Sequence, residues 1–162
     1  MKENDAQTQG RQDAKKDKDI PCGPASSRRC DKSSFDKVEN MISREIVRLA
    51  IEVHRSLGGP GLLESVYEEA LAWELNHAGL DVRRQVSFPI HYKGQRLATP
   101  LRIDLIVDDK VIVECKALSK YNQIFEAQIL TYLRLTGLKL GLVVNFGERM
   151  VKNGIHRVVN GL

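Results

Sequence analysis

The sequence predicts an α/β fold in which a central mixed sheet is flanked by helices, and three observations carry that expectation. Apolar residues recur at three- and four-residue steps in three segments and alternate in others, while Leu140-Gly-Leu-Val-Val-Asn-Phe146 is a continuous apolar run of the kind found in a strand buried on both faces. The order is helix, helix, strand, strand, strand, helix, strand, strand. That is neither a regular βαβ alternation nor an all-β meander, so packing one apolar face of each element against another gives a mixed sheet with helical layers.

The elements follow one another in a clear order. Residues 1–34 hold seven apolar residues against eight Lys/Arg and six Asp/Glu, too little apolar surface to offset the entropy of ordering them. Residues 1–38 are therefore expected to be a disordered charged tail and linker, and residues 39–162 the folded domain. Ile42, Ile46, Ala50, Val53 and Leu57 mark a first helix that Gly58-Gly59-Pro60-Gly61 stops. A second helix runs from about Leu62 to Ala78, with Leu63, Val66, Ala70 and Leu71 as its apolar stripe, Glu64, Glu68, Glu69 and Glu74 around it, and Gly79 as its stop. The period then becomes two. Val82, Val86, Phe88, Ile90 and Tyr92 mark a strand ending at Lys93-Gly94; Leu101, Ile103, Leu105 and Val107 mark the next, and Val111 to Cys115 the third. A third helix spans about Gln123 to Leu135 and ends at Gly137, and His156 to Val159 form an edge strand after the buried run.

Composition excludes several classes. At 162 residues the chain is expected to form one domain, since domains run to roughly 100–200 residues. The formal charge is 25 − 21 = +4, of which the first 34 residues contribute 8 − 6 = +2, leaving a nearly neutral folded part and no histone-like charge density. No run reaches the roughly 18 apolar residues of a membrane span, and the start of the chain lacks a secretory apolar region. Cys22, Cys30 and Cys115 fit neither a zinc ribbon nor a disulfide framework and read as free thiols, so a cytoplasmic protein is expected. His54, His77, His91 and His156 show no ligand spacing.

The chemistry concentrates in Arg102-Ile-Asp104-Leu-Ile-Val-Asp-Asp-Lys-Val-Ile-Val-Glu114-Cys-Lys116. Polar groups interrupt apolar strands here, and Glu114 and Lys116, at i and i+2, share one sheet face about 7 Å apart. If Asp108-Asp109-Lys110 is a three-residue hairpin loop, Asp104 falls opposite Glu114. Two carboxylates that close repel, and one takes up a proton unless a divalent ion bridges them. Hard oxygen ligands suit Mg²⁺ or Mn²⁺, which acidify water and bind phosphate oxygens. The bland alternative is a salt-bridged patch on a half-exposed sheet face. Arg83, Arg84, Lys93, Arg96, Lys120 and Arg134 are available as phosphate contacts, each individually weak.

Four blocks carry a resemblance: Gly61-Leu-Leu-Glu64-Ser-Val-Tyr67-Glu-Glu-Ala70, then Asp104 with Glu114-Cys-Lys116, then Gln128-Ile-Leu-Thr-Tyr132-Leu, then Gly141-Leu-Val-Val-Asn145-Phe146. Between about Ile42 and Val159 the sequence resembles the PD-(D/E)XK nuclease superfamily and, more narrowly, the small proteins named for a Gly-x-x-Glu-x-x-Tyr motif, the GxxExxY family. The resemblance implies a restriction-endonuclease-like core and a Mg²⁺- or Mn²⁺-dependent nuclease. It makes Asp104 and Glu114 metal-binding acids, Lys116 the catalytic lysine, and Glu64 an acid that joins the metal site or positions its waters. Gln128 and Tyr132 match a Gln-x-x-x-Tyr motif beside the active site, which places Gln128 among the expected catalytic residues and Tyr132, with Tyr67, among the supporting ones. Ile103 stands where a proline is found in part of the superfamily, and Cys115 occupies a permissive position. The expected partner is nucleic acid, DNA favoured over RNA, with a homo-oligomer as a source of further phosphate-binding surface. The alternative is a catalytically silent nuclease-fold module that binds nucleic acid or a protein partner.

Overall fold

The computed structural model describes residues 37–162. The tail expected over residues 1–38, with Cys22 and Cys30, falls outside the described residues except for Lys37 and Val38. Helix α1 (Val38–Ser56) starts one turn before its first periodic apolar residue and buries Ile42, Ile46, Leu49, Ala50 and Val53, the stripe its spacing dictates. Gly58 and Gly59 then take φ of 83° and 99°, left-handed values that reverse the chain at little cost for glycine.

Helix α2 (Glu64–His77) corrects the expected stripe. It buries Tyr67, Leu71, Ala72 and Leu75, whereas Leu63 is 74% and Val66 39% exposed. The reason is Tyr67. Its ring stacks on Phe146 with centroids 4.6 Å apart, and its hydroxyl donates to Gly59 O at 2.7 Å and accepts from Leu62 N at 3.2 Å. With its ring stacked and its hydroxyl satisfied, Tyr67 goes inside together with Leu71, Ala72 and Leu75, and the helix turns that face to the core. Glu68, next on that face, is carried inside as well.

The main sheet has the order β1 (Val82–Phe88), β4 (Leu101–Val107), β5 (Val111–Lys116), β6 (Leu140–Asn145), β7 (Ile155–Val159). All neighbours are antiparallel except β5 and β6, which are parallel and joined through α3 (Ile124–Thr136). The strand expected to run on to Tyr92 breaks at Pro89, which has no N–H to offer a ladder. Instead β2 (His91–Tyr92) and β3 (Gln95–Arg96) form a small hairpin around Lys93-Gly94, both residues at positive φ. A short 3-10 turn, Val151–Gly154, precedes β7.

Two core clusters lie on opposite faces of the sheet. Leu105, Val107, Val111, Val113, Cys115, Leu142 and Val144 pack with α1 and α2; Leu101, Ile103, Ile106, Ile112 and Val143 pack with Ile129, Tyr132 and Leu133 of α3. Ile103 and Leu105, two apart on β4, thus belong to different faces. So do Val82 and Val86 on β1, which pack on the first and second cluster respectively. Strict alternation would put each pair on one side. Both strands turn over together at Gln85 and Asp104, and their register is preserved on either side, Arg84↔Leu105 and Val86↔Ile103.

The end of β5 is held by the residues that close β6. Asn145, fully buried, accepts from Leu118 N at 2.9 Å and donates to Leu118 O at 2.9 Å, while Phe146 N donates to Lys116 O at 2.6 Å. Gly147 is needed by close approach: a Cβ there would lie 2.3 Å from Leu118 O. Because the neighbour is backbone, it cannot swing aside. Gly147→Ala is expected to cost about 1–3 kcal/mol in urea unfolding, the range for overpacking; unchanged stability would show that the segment after Lys116 is not pinned as described.

Candidate active site

The loop Asp108-Asp109-Lys110 joins β4 to β5 with Val107 paired to Val111, so the hairpin has the three-residue connection that the sequence suggested. Asp108 and Asp109 both sit at positive φ, a conformation short polar side chains tolerate. Pairing of the two strands runs from Val107↔Val111 to Leu105↔Val113 and there ends. At the next position the Cys115 N–H donates to Asp104 Oδ2 at 3.0 Å, a side chain taking the place of a strand carbonyl. The sheet opens at this point, and the site lies in the opening.

Glu114 is buried at 3% exposure on the face that packs toward α3. Its Oε1 accepts from Lys116 Nζ at 2.9 Å and from Gln128 Nε2 at 3.4 Å. Its Oε2 is buried with no hydrogen-bond partner. Lys116 Nζ also lies 3.6 Å from Glu64 Oε1, at the first turn of α2, and 5.4 Å above the Phe125 ring. Gln128 donates to the Tyr132 hydroxyl one turn along α3. Asp104, Glu114, Lys116, Glu64, Gln128 and Tyr132 therefore meet in one place. Tyr67 does not: it belongs to the packing and loop bonds beneath α2. Cys115 points into the core on the opposite face, where burial pushes its thiol well above the usual range and leaves it unreactive.

Two residues of the site escaped sequence reading. Glu68 looked like one more glutamate on an acidic helix, yet it is 4% exposed and accepts from Arg84 Nε at 3.1 Å and from the Gln85 amide. Phe125 was hidden in the apolar face of α3. Of the basic residues considered as phosphate contacts, Arg83 pairs with Asp109 and Arg84 with Glu68.

Among the described residues no three His, Cys, Asp or Glu side chains are placed to hold a metal ion by themselves. The donors that fit one are the two strand-borne acids. An orphaned, buried carboxylate oxygen on Glu114 beside a second carboxylate is the kind of hard donor pair a divalent cation accepts, with water or substrate filling its other positions. A family model described as the PD-(D/E)XK nuclease superfamily matches residues 40–158. No curated protein and no solved structure matches the chain.

The electrostatics follow from one ammonium among three acids. Burial, then the Asp104 charge, pushes the Glu114 carboxyl up to about 7 against the pull of Lys116, and burial raises Asp104 as well, despite the Cys115 amide. Burial pulls Lys116 down, but the hydrogen bond it donates to Glu114 and the charges of Glu114, Glu64 and Asp104 outweigh it, so Lys116 is raised and stays protonated. The lysine gains from its partners while Glu114 does not, because one cation is shared by several carboxylates and Glu114 is the deepest of them. Glu114 binds a proton more tightly folded than unfolded, so its contribution is present below its ordinary value of about 4.5 and is lost as pH rises toward about 7. In metal-free buffer, urea stability is expected to fall across that window by on the order of 2–3 kcal/mol, and Glu114→Gln to flatten the slope. A wild-type profile that rises across the window would contradict this account.

Proposed function

The chain belongs to the PD-(D/E)XK nuclease superfamily, and from that premise we propose that it is a divalent-metal-dependent nuclease hydrolysing nucleic-acid phosphodiester bonds. One observation carries the reading: Glu114 is a carboxylate buried in a strand, with one oxygen unpartnered, beside a second strand-borne acid and a lysine. Asp104 and Glu114 would hold Mg²⁺ or Mn²⁺, and Glu64 would join them or order water between. When bound, such an ion supplies a Lewis acid that acidifies water and offsets charge on phosphate oxygens. Lys116, protonated, donates rather than accepts; it orients the attacking water or offsets the charge that develops as the new P–O bond forms and the bond to the leaving sugar oxygen breaks. Gln128 fixes Glu114 Oε1 and the Tyr132 hydroxyl in a common frame. Glu64 and Tyr67, each with a definite contact, support the narrower placement with the GxxExxY proteins. DNA is the favoured substrate, a homo-oligomer would extend the phosphate-binding surface, and the cytoplasm is the proposed compartment. No helix among the described residues is long and apolar enough to cross a membrane.

A second reading is a silent nuclease-fold module that binds nucleic acid or a protein. What favours it is the low excess of positive charge, 17 Lys/Arg against 15 Asp/Glu after residue 34, since phosphate contacts supply most non-specific affinity. Assays on labelled single- and double-stranded DNA and RNA decide between the two. With Mg²⁺ or Mn²⁺ the wild type is expected to cut, chelation to stop it, and Asp104→Asn, Glu114→Gln or Lys116→Ala to lower the rate at least about 100-fold. Equal trace cleavage by wild type and these variants would leave only the binding module. In the same assay Gln128→Ala is expected to lose about tenfold, less than the acids, because it acts through Glu114.

A further inference from the structure

We infer that Glu68 and Gln85 are positioning residues for Asp104, holding β1 and β4 in the joint turnover that delivers the Asp104 carboxylate to the end of β5. Gln85 has φ of 50° in the middle of β1, a left-handed value that a long side chain rarely adopts and that a strand does not supply. It occupies the one gap in the β1–β4 pairing, between Arg84↔Leu105 and Val86↔Ile103, directly across from Asp104. On either side of that gap both strands change the face they bury.

Something must hold Gln85 there, and its side chain shows what. The amide donates to Glu68 and accepts from Arg102 Nε, so it is gripped from α2 on one side and from β4 on the other. Glu68 is buried at 4% exposure, and its other oxygen takes Arg84 Nε at 3.1 Å. A buried carboxylate is kept when its hydrogen bonds are made, and here both go to the two residues at the turnover. The consequence appears on β5, where the Cys115 amide takes Asp104 Oδ2 as its acceptor at 3.0 Å. Without the turnover Asp104 would follow plain alternation along β4, and this bond would be lost.

This inference rests on the metal-site reading only for its catalytic meaning; the geometry has its own readout. In the full chain, exchange of the Cys115 amide is followed by ¹⁵N NMR without metal, and Mn²⁺ binding by calorimetry, with Asp104→Ala as the reference for a lost acceptor. Glu68→Ala and Gln85→Val are each expected to speed Cys115 exchange at least tenfold and to weaken Mn²⁺ binding at least fivefold, since a β-branched residue resists positive φ. Adding Gln85→Gly to Glu68→Ala is expected to bring Cys115 exchange back to within threefold of wild type, because glycine takes that φ freely. A merely structural loss would worsen, not recover, on placing glycine in a strand. Wild-type Cys115 exchange in Gln85→Val, or a double variant no better than Glu68→Ala, overturns the inference. If Glu68→Ala does not fold, Gln85→Val against Gln85→Gly gives the same decision. Should the wild type bind no Mn²⁺, the metal reading falls while the exchange comparison still decides the role of Glu68 and Gln85.

Discussion

The bond from the Cys115 amide to Asp104 Oδ2 is the point on which this molecule turns. A buried strand amide that loses its backbone partner must find another acceptor. Here β4 leaves β5 after Leu105↔Val113, and a carboxylate satisfies the amide that would otherwise be orphaned. One interaction therefore opens the sheet, keeps the backbone satisfied and fixes an acid at the mouth of the opening. β5 itself stays rigid through this region because its other edge remains paired in parallel with β6 as far as Lys116↔Asn145.

The second constraint is an excess of negative charge in a place that water reaches poorly. Lys116 faces Glu114 at 2.9 Å and Glu64 at 3.6 Å, with Asp104 close enough to shift both strand groups. Burial works against the charges of Asp104, Glu114 and Lys116, and one ammonium faces three carboxylates. The end of β5 that carries these groups is held by the fold around it: Asn145 bonds the Leu118 backbone, Phe146 N donates to Lys116 O, and Gly147 lets Leu118 approach. A site under such tension favours whatever brings positive charge to it, a proton at Glu114 or a cation between the acids.

Much of this was legible beforehand. Periodicity located the helices and the sheet strands within a few residues, and the three-residue loop at Asp108–Lys110 was enough to set the register of β4 on β5 as far as Leu105↔Val113. Gln128 and Tyr132 could be placed on one helix face by their spacing and do bond each other. What failed was the choice of face on α2. Leu63, Val66 and Ala70 form as good an apolar stripe as Tyr67, Leu71 and Leu75, and hydropathy ranks tyrosine below leucine. Only the stack on Phe146, 79 positions away in sequence, and the two hydroxyl bonds in the preceding loop decide between them.

By itself the sequence determined the α/β class, the order of elements and the strand-borne acids and lysine, because those depend on local period, turn residues and register, each set by neighbours in the chain. The tertiary structure alone decided that Glu68 is buried, that Gln85 takes a left-handed backbone, and that β1 and β4 change faces at Asp104. These depend on contacts between α2, β1 and β4, whose partners lie 16 or more residues apart along the chain. No local pattern records such a contact, since an alternating strand reads the same whether or not it turns over midway.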